Sequence, residues 1–90
     1  MTIIGLQVRA ARAFLVWDRR DLARRAVVSL ATIEHIETGG SVSGKTMTAA
    51  LAFVQATLEA EGIEFTDDNG VLGVRLHPKS VGKVKAKAKR

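Results

Sequence analysis

Between Asp18 and Gly40 the chain carries two short helical segments with their start and stop signals in place. Asp18 is a good N-cap, and Asp21 stands at N3 in a capping-box-like pattern. The helix it opens runs from Arg19 to about Ala26 and buries Leu22, Ala23 and Ala26. Ser29 is the next N-cap. Its helix covers Leu30 to about Thr38, buries Ile33 and Ile36, and is stopped by Gly39-Gly40. Two short helices joined by so tight a turn pack together only if certain positions are apolar or small. Leu22, Ala26, Val28, Ile33 and Ile36 meet that demand. Ala23 falls where the helices cross, and a larger side chain there would push them apart.

The flanking segments extend this pattern. Ile4, Val8, Ala11 and Leu15 recur at helical spacing, with Ala10, Phe14 and Trp17 on an adjacent row. They predict an amphipathic helix over about residues 4–15, with Arg9 and Arg12 off its apolar face. Ser43 can cap a further helix over about 44–61. Its stripe is Met47, Leu51, Val54 and Leu58, and a second row holds Ala49, Phe53 and Ala56. Gly62 ends it. Ile63 to Thr66 then alternates like a strand, Asp67-Asp68-Asn69-Gly70 is hairpin-turn chemistry, and Val71 to Leu76 is the return strand. A lone hairpin is marginal, so it must pack on the helices or pair with another chain. The expected class is mainly α: four to five helices, a C-terminal β-hairpin and a disordered basic tail. Residues 1–62 form the helical domain, 63–77 a hairpin extension suited to dimerisation, and 78–90 the tail.

Charge sorts the same segments. The net charge of +5 is unevenly spread. Residues 79–90 carry six bases and no acid, residues 59–78 carry five acids against Arg75, and residues 1–58 carry seven bases against four acids. The N-terminal half and the tail would be drawn to a polyanion, and the segment between them would not. A solvated basic surface is the plainer reading of such a balance. The four aromatics, Phe14, Trp17, Phe53 and Phe65, are too few for a single-strand stacking platform. With no cysteine, neither a disulfide nor a thiolate metal site can form. Arginines interrupt the apolar N-terminus, so neither a signal peptide nor a membrane span is expected, and the expected location is the cytoplasm.

Four segments carry a family resemblance: QVRAARAFLVW (Gln7–Trp17), DRRDLARRA (Asp18–Ala26), VSLATIEHIETG (Val28–Gly39) and LEAEGIEF (Leu58–Phe65). In this order they resemble the lambda-repressor-like, or XRE-like, family of bacterial and phage transcriptional regulators. The first three match the family's opening helix and its helix-turn-helix. The last matches a small subgroup with a strand hairpin after the helices. The chain departs from the family at Val16 and Val27, where glycine is usual just past a helix end. Valine is strained at positive φ, so these turns are expected to re-form. It departs also at Arg19, where glutamine is common, and at Leu30, where arginine is frequent.

The resemblance implies a dimeric repressor or autoregulator that reads an inverted repeat in double-stranded DNA, one recognition helix per half-site. Leu30, Ala31, Thr32 and His35 would then face base edges. Leu30 and Ala31 offer apolar contact to a thymine methyl, and Thr32 and His35 offer hydrogen bonds. The alternatives are that Leu30 packs in the core and His35 is a solvated surface residue. Arg19 would contact a phosphate or an adjacent base, and Arg20, Ser29, Ser43 and Lys45 would contact phosphates. Arg20, Arg24 and Arg25 are each either a phosphate contact or part of an ordinary solvated face. Glu34 and Glu37 are expected to cap or to pair with Arg12, Arg24 or Arg25. Phe53, Ile63 and Phe65 are the candidate dimer contacts. The rival reading is an antitoxin that binds a toxin through the acidic 59–68 segment while regulating its own operon.

Gly39 to Thr46 also fits the P-loop pattern G-x-x-x-x-G-K-[ST]. That motif should follow a buried strand, and here a helix is expected before it. His35 and His77 have no ligand cluster around them, and Asp67-Asp68-Asn69-Gly70 lacks the spaced later carboxylate of a calcium loop. No nucleophile, base and orienting group form a set. No enzyme activity, catalytic residue, cofactor or metal is therefore expected.

Overall fold

A computed structural model describes residues 2–78. Its order is α1 (Gly5–Leu15), α2 (Arg19–Ala26), α3 (Leu30–Glu37), α4 (Gly44–Ala60), β1 (Ile63–Asp68) and β2 (Val71–Leu76). Four helices thus precede a two-stranded antiparallel hairpin. The tail expected to be disordered lies outside the described residues, apart from its first residue, Pro78.

The first three helices end alike. Trp17 N–H donates to Arg12 O at 3.0 Å, Val28 N–H to Ala23 O at 3.0 Å, and Gly40 N–H to His35 O at 2.8 Å. Each bond closes a last turn around one left-handed residue, in the manner of the Schellman motif. Those residues are Val16 (φ 57°), Val27 (φ 59°) and Gly39 (φ 84°). The turns do not re-form around the two valines. The six-to-one bond and the packing on both sides of each turn hold valine where glycine would sit without strain.

The starts differ more. Asp18 and Asp21 make the expected reciprocal capping box: Asp21 N–H donates to Asp18 Oδ1 at 2.8 Å, and Asp18 N–H donates to Asp21 Oδ2 at 3.0 Å. Ser29 Oγ accepts from Thr32 N–H at 3.1 Å, capping α3. Ser43 precedes α4 but makes no side-chain cap bond. At α1 the Ile4 side chain has no acceptor to offer, and Gln7 Oε1 reaches back to accept from the Ile4 N–H at 3.0 Å. Ile4 is extended (φ −116°), so Ile3 turns inward (2% exposed) and Ile4 faces out (43% exposed), the reverse of the expected pattern. Ala10 and Phe14 also face solvent rather than the core.

One core joins all six elements. Val8 and Ala11 of α1, Leu22 of α2, Ile33 of α3 and Leu58 of α4 meet Ile63 and Phe65 of β1. Fully burying a side chain of this size contributes roughly 1.5–3 kcal/mol. The hairpin is therefore part of the domain rather than an extension of it. Its register pairs Ile63 with Leu76 and Phe65 with Val74, so these four share the inward face. The strand runs two residues beyond the expected Thr66, and Asn69 (φ 55°) and Gly70 (φ 85°) make a two-residue turn with φ positive at both positions. Asp67 Oδ1 accepts from Gly70 N–H at 2.9 Å. Gln7, 4% exposed, donates Nε2 to Gly73 O at 3.1 Å and Thr66 O at 3.3 Å, tying α1 to both strands.

Candidate nucleic-acid interface

The α2–α3 pair packs as its apolar positions require. Leu22, Ala26, Ile33 and Ile36 are buried, Ala23 is 7% exposed at the crossing, and Val28 is half-buried. Outward, α3 exposes Ala31, Glu34 and His35, while Leu30 and Thr32 are half-buried. Exposed Arg20 lies beside Leu30 in a shallow concavity also bounded by Arg12, Arg19 and Glu34. Exposed Lys45 borders a second concavity with Ser29, Thr32, Val27 and Phe53. Ala31 thus stands outward on α3, flanked by half-buried Leu30 toward Arg20 and half-buried Thr32 toward Lys45. The Thr32 hydroxyl is 2.8 Å from the Ser29 hydroxyl, and either can be the donor.

Charge is organised around one carboxylate. The Glu37 side chain is fully buried (0% exposed) at the end of α3. Arg12 grips it with Nε to Oε2 and Nη2 to Oε1, both at 2.7 Å, and gives Nη1 to Trp17 O at 2.9 Å. Arg19 adds Nε to Oε1 at 3.0 Å. Burial pushes the Glu37 carboxyl up, but the hydrogen bonds and charges of Arg12 and Arg19 outweigh it and hold it below its ordinary value. The hydrogen bond to Glu37 raises Arg12 in turn, against the opposing effect of its burial.

Several expected roles change. Arg19, read as a phosphate contact, spends its Nε inside on Glu37. Its side chain keeps 34% exposure, and its Nη groups make no hydrogen bond among the described residues. Glu37 takes Arg12 as expected, but neither Arg24 nor Arg25. Arg24 pairs with Asp21 at 2.9 Å, and Arg25 lies over the Trp17 ring, 4.4 Å from its centroid. Ile63 (3% exposed) and Phe65 (7%) are consumed by the protomer's own core, so their side chains are not available to a second copy. Phe53, 58% exposed beside exposed Ala49 and Ala56, remains available. His35, read as facing a base edge, donates Nε2–H to Ser41 O at 2.7 Å. Only its Nδ1 is left over. Ser43 Oγ faces Ser41 Oγ at 3.3 Å.

Gly39 to Thr46 joins α3 to α4, so a helix stands where a phosphate-binding loop needs a strand. Among the described residues no three His, Asp or Glu side chains gather as a metal site, and no helix is long and apolar enough to cross a membrane. A scan against protein-family models finds no match, and a search of curated proteins finds none either.

Glu37 was legible in principle. It lies four residues after Ile33 and next to Ile36, on the buried side of the helix. Gln7 carried no such signal, because its partners are backbone carbonyls about sixty residues away in the chain.

Proposed function

We propose that this chain is a sequence-specific, double-stranded DNA-binding transcriptional regulator of the lambda-repressor-like kind. The observation that carries the reading is the α2–α3 pair. Its inner positions are filled by apolar side chains, and the outer side of α3 lies between Arg20 and Lys45, neither of which is paired among the described residues. As a helix-turn-helix, α3 enters the major groove. Ala31 and the exposed part of Leu30 touch thymine methyls, and the Thr32 hydroxyl bonds a base edge. Arg20, Lys45, Ser29, Ser43 and the Nη groups of Arg19 neutralise or bond phosphates. The active form is a cytoplasmic homodimer joined through the Phe53 row, acting as a repressor or autoregulator on an inverted repeat.

The test is binding of the full chain to its own upstream DNA and to a shuffled duplex over a salt series. Preference for the upstream duplex should survive rising salt, and Thr32→Ala should lower that preference about fivefold, the worth of about 1 kcal/mol for one hydrogen bond. Equal affinity for both duplexes, vanishing with salt, removes sequence-specific regulation and leaves only charge attraction.

A further inference from the structure

We propose that His35 is a positioning residue for the DNA face: it pins the Gly39–Ser43 loop to α3 and so sets where Lys45 stands relative to Thr32. This rests on the DNA-binding reading above and deepens it.

The loop is held at two points by one residue. The His35 carbonyl accepts from Gly40 N–H at 2.8 Å, closing α3. Its ring then donates Nε2–H to Ser41 O at 2.7 Å. A carbonyl can only accept, so Nε2 carries the hydrogen and the tautomer is fixed. The ring also lies directly on the Gly40 backbone. A Cβ at Gly40 would come within 2.3 Å of Cε1 and 2.5 Å of both ring nitrogens. A side chain at position 40 would displace the ring, so the ring's place against the loop depends on glycine there.

Downstream, the restraint passes along a short piece of chain. Ser41 Oγ lies 3.3 Å from Ser43 Oγ, and Ser43 leads into α4 without a cap bond of its own. Lys45, in the first turn of α4, borders the same concavity as Ser29 and Thr32. The side chain expected to read a base is thus committed to the loop that places a phosphate-facing cation. Base reading falls to Leu30, Ala31 and Thr32 alone.

His35→Ala, His35→Gln, Lys45→Ala and the double variant H35A/K45A separate this role from base reading. Each is titrated with the upstream and the shuffled duplex over a salt series. H35A should weaken both duplexes by a common factor of about three to ten and lower the salt slope by about one, leaving their ratio unchanged. K45A should do the same, and the double variant should lose no more than K45A alone. Glutamine places its Nε2 as many bonds from Cα as histidine does, so H35Q should restore binding. Gly40→Ala, which displaces the ring, should copy H35A. A loss confined to the upstream duplex would make His35 a base reader and overturn the proposal. Additive losses in the double variant would show that it does not act through Lys45. If the wild-type chain binds neither duplex, the regulator reading itself falls, whereas wild-type binding with an unaffected H35A sinks this proposal alone.

Discussion

Replacing Val16 and Val27 by glycine should stabilise this domain. Both valines sit in the left-handed region, at φ 57°, ψ 41° and φ 59°, ψ 48°. There Cβ crowds the following carbonyl, at a cost of roughly 1–2 kcal/mol per residue. Little is lost with the side chains, which are 89% and 86% exposed; the buried fraction of each is worth about 0.3 kcal/mol on the area scale. Glycine adds freedom to the unfolded chain, which offsets about 0.4–1 kcal/mol of the relief. The balance is a gain of about 0.5 kcal/mol per site. The turns are separate, so V16G/V27G should gain about 1 kcal/mol and raise the melting temperature by about 4–8 °C. Far-UV circular dichroism during heating, with urea titration for ΔG, measures it. Val27→Asn is the control, because asparagine tolerates this region without glycine's full chain entropy. It should stabilise at least as much as V27G. If the double glycine variant and the asparagine variant both melt at or below the wild type, the argument from backbone strain is wrong.

Three further perturbations probe other parts of the fold. Glu37→Gln should cost about 2 kcal/mol, less than the 3–5 kcal/mol of a fully buried pair, because water reaches Arg12 (16% exposed) and Arg19 (34% exposed). The Glu37 carboxyl is held below its unfolded value, so its contribution is complete above about pH 4.3 and disappears as pH falls through the folded value. Wild-type stability should drop in that acid window, and E37Q should flatten the drop; superimposable acid profiles would refute the assignment. Gly5→Ala should lower the melting temperature although alanine favours helices. Its Cβ would stand 2.1 Å from Ile36 O and 2.8 Å from Glu37 Cα, both backbone, and the resulting overpacking costs about 1–3 kcal/mol. Phe53→Asp should convert a dimer to a folded monomer by light scattering, since Phe53 is 58% exposed and little of the protomer rests on it. A wild-type monomer at high concentration would refute the proposed interface.

The parts of this fold that were legible in the sequence are those governed by local chemistry. Asp18, Ser29 and Gly39-Gly40 mark helix ends through hydrogen bonds made within a few residues, and α2 falls on the expected bounds. Asn69-Gly70 fixes the hairpin for the same reason. What escaped depends on distant partners. Which of Ile3 and Ile4 enters the core is decided by where α1 begins, and that start is set by Gln7 and by the close approach of Gly5 to the end of α3. Ile63 and Phe65 looked available because a hairpin can pack inward or pair outward, and only the shared core with Val8 and Leu58 chooses between these. The candidate site divides in the same way. Its helix and its exposed positions were readable, but His35 carries no mark of the Ser41 carbonyl that takes its ring hydrogen.

The buried carboxylate explains how so small a domain keeps one face of α3 free. An apolar face packs from behind, and Leu22, Ile33 and Ile36 do this for the α2–α3 pair. The end of α3 needs a further restraint, because after Thr38 the chain turns through Gly39 and Gly40, which carry no side chains to bury. Glu37 supplies that restraint at the last residue of the helix. Through Arg12 it binds the middle of α1 and the Trp17 carbonyl, and through Arg19 it binds the first residue of α2. Three helices are thus fixed from behind at one charged point, with no side chain taken from the outer positions Ala31, Thr32 and Glu34. A hydrophobic replacement for the triad could match its stability. It would not also aim Arg19, whose Nε is held inside while its Nη groups, near Arg20, make no hydrogen bond among the described residues. On the proposed DNA-binding reading, Glu37→Gln should weaken DNA binding through Arg19 even at temperatures where the variant is fully folded, and Arg19→Ala should then make the Glu37 change nearly silent for binding. Equal losses from Glu37→Gln with and without Arg19 would reduce the triad to a purely structural device.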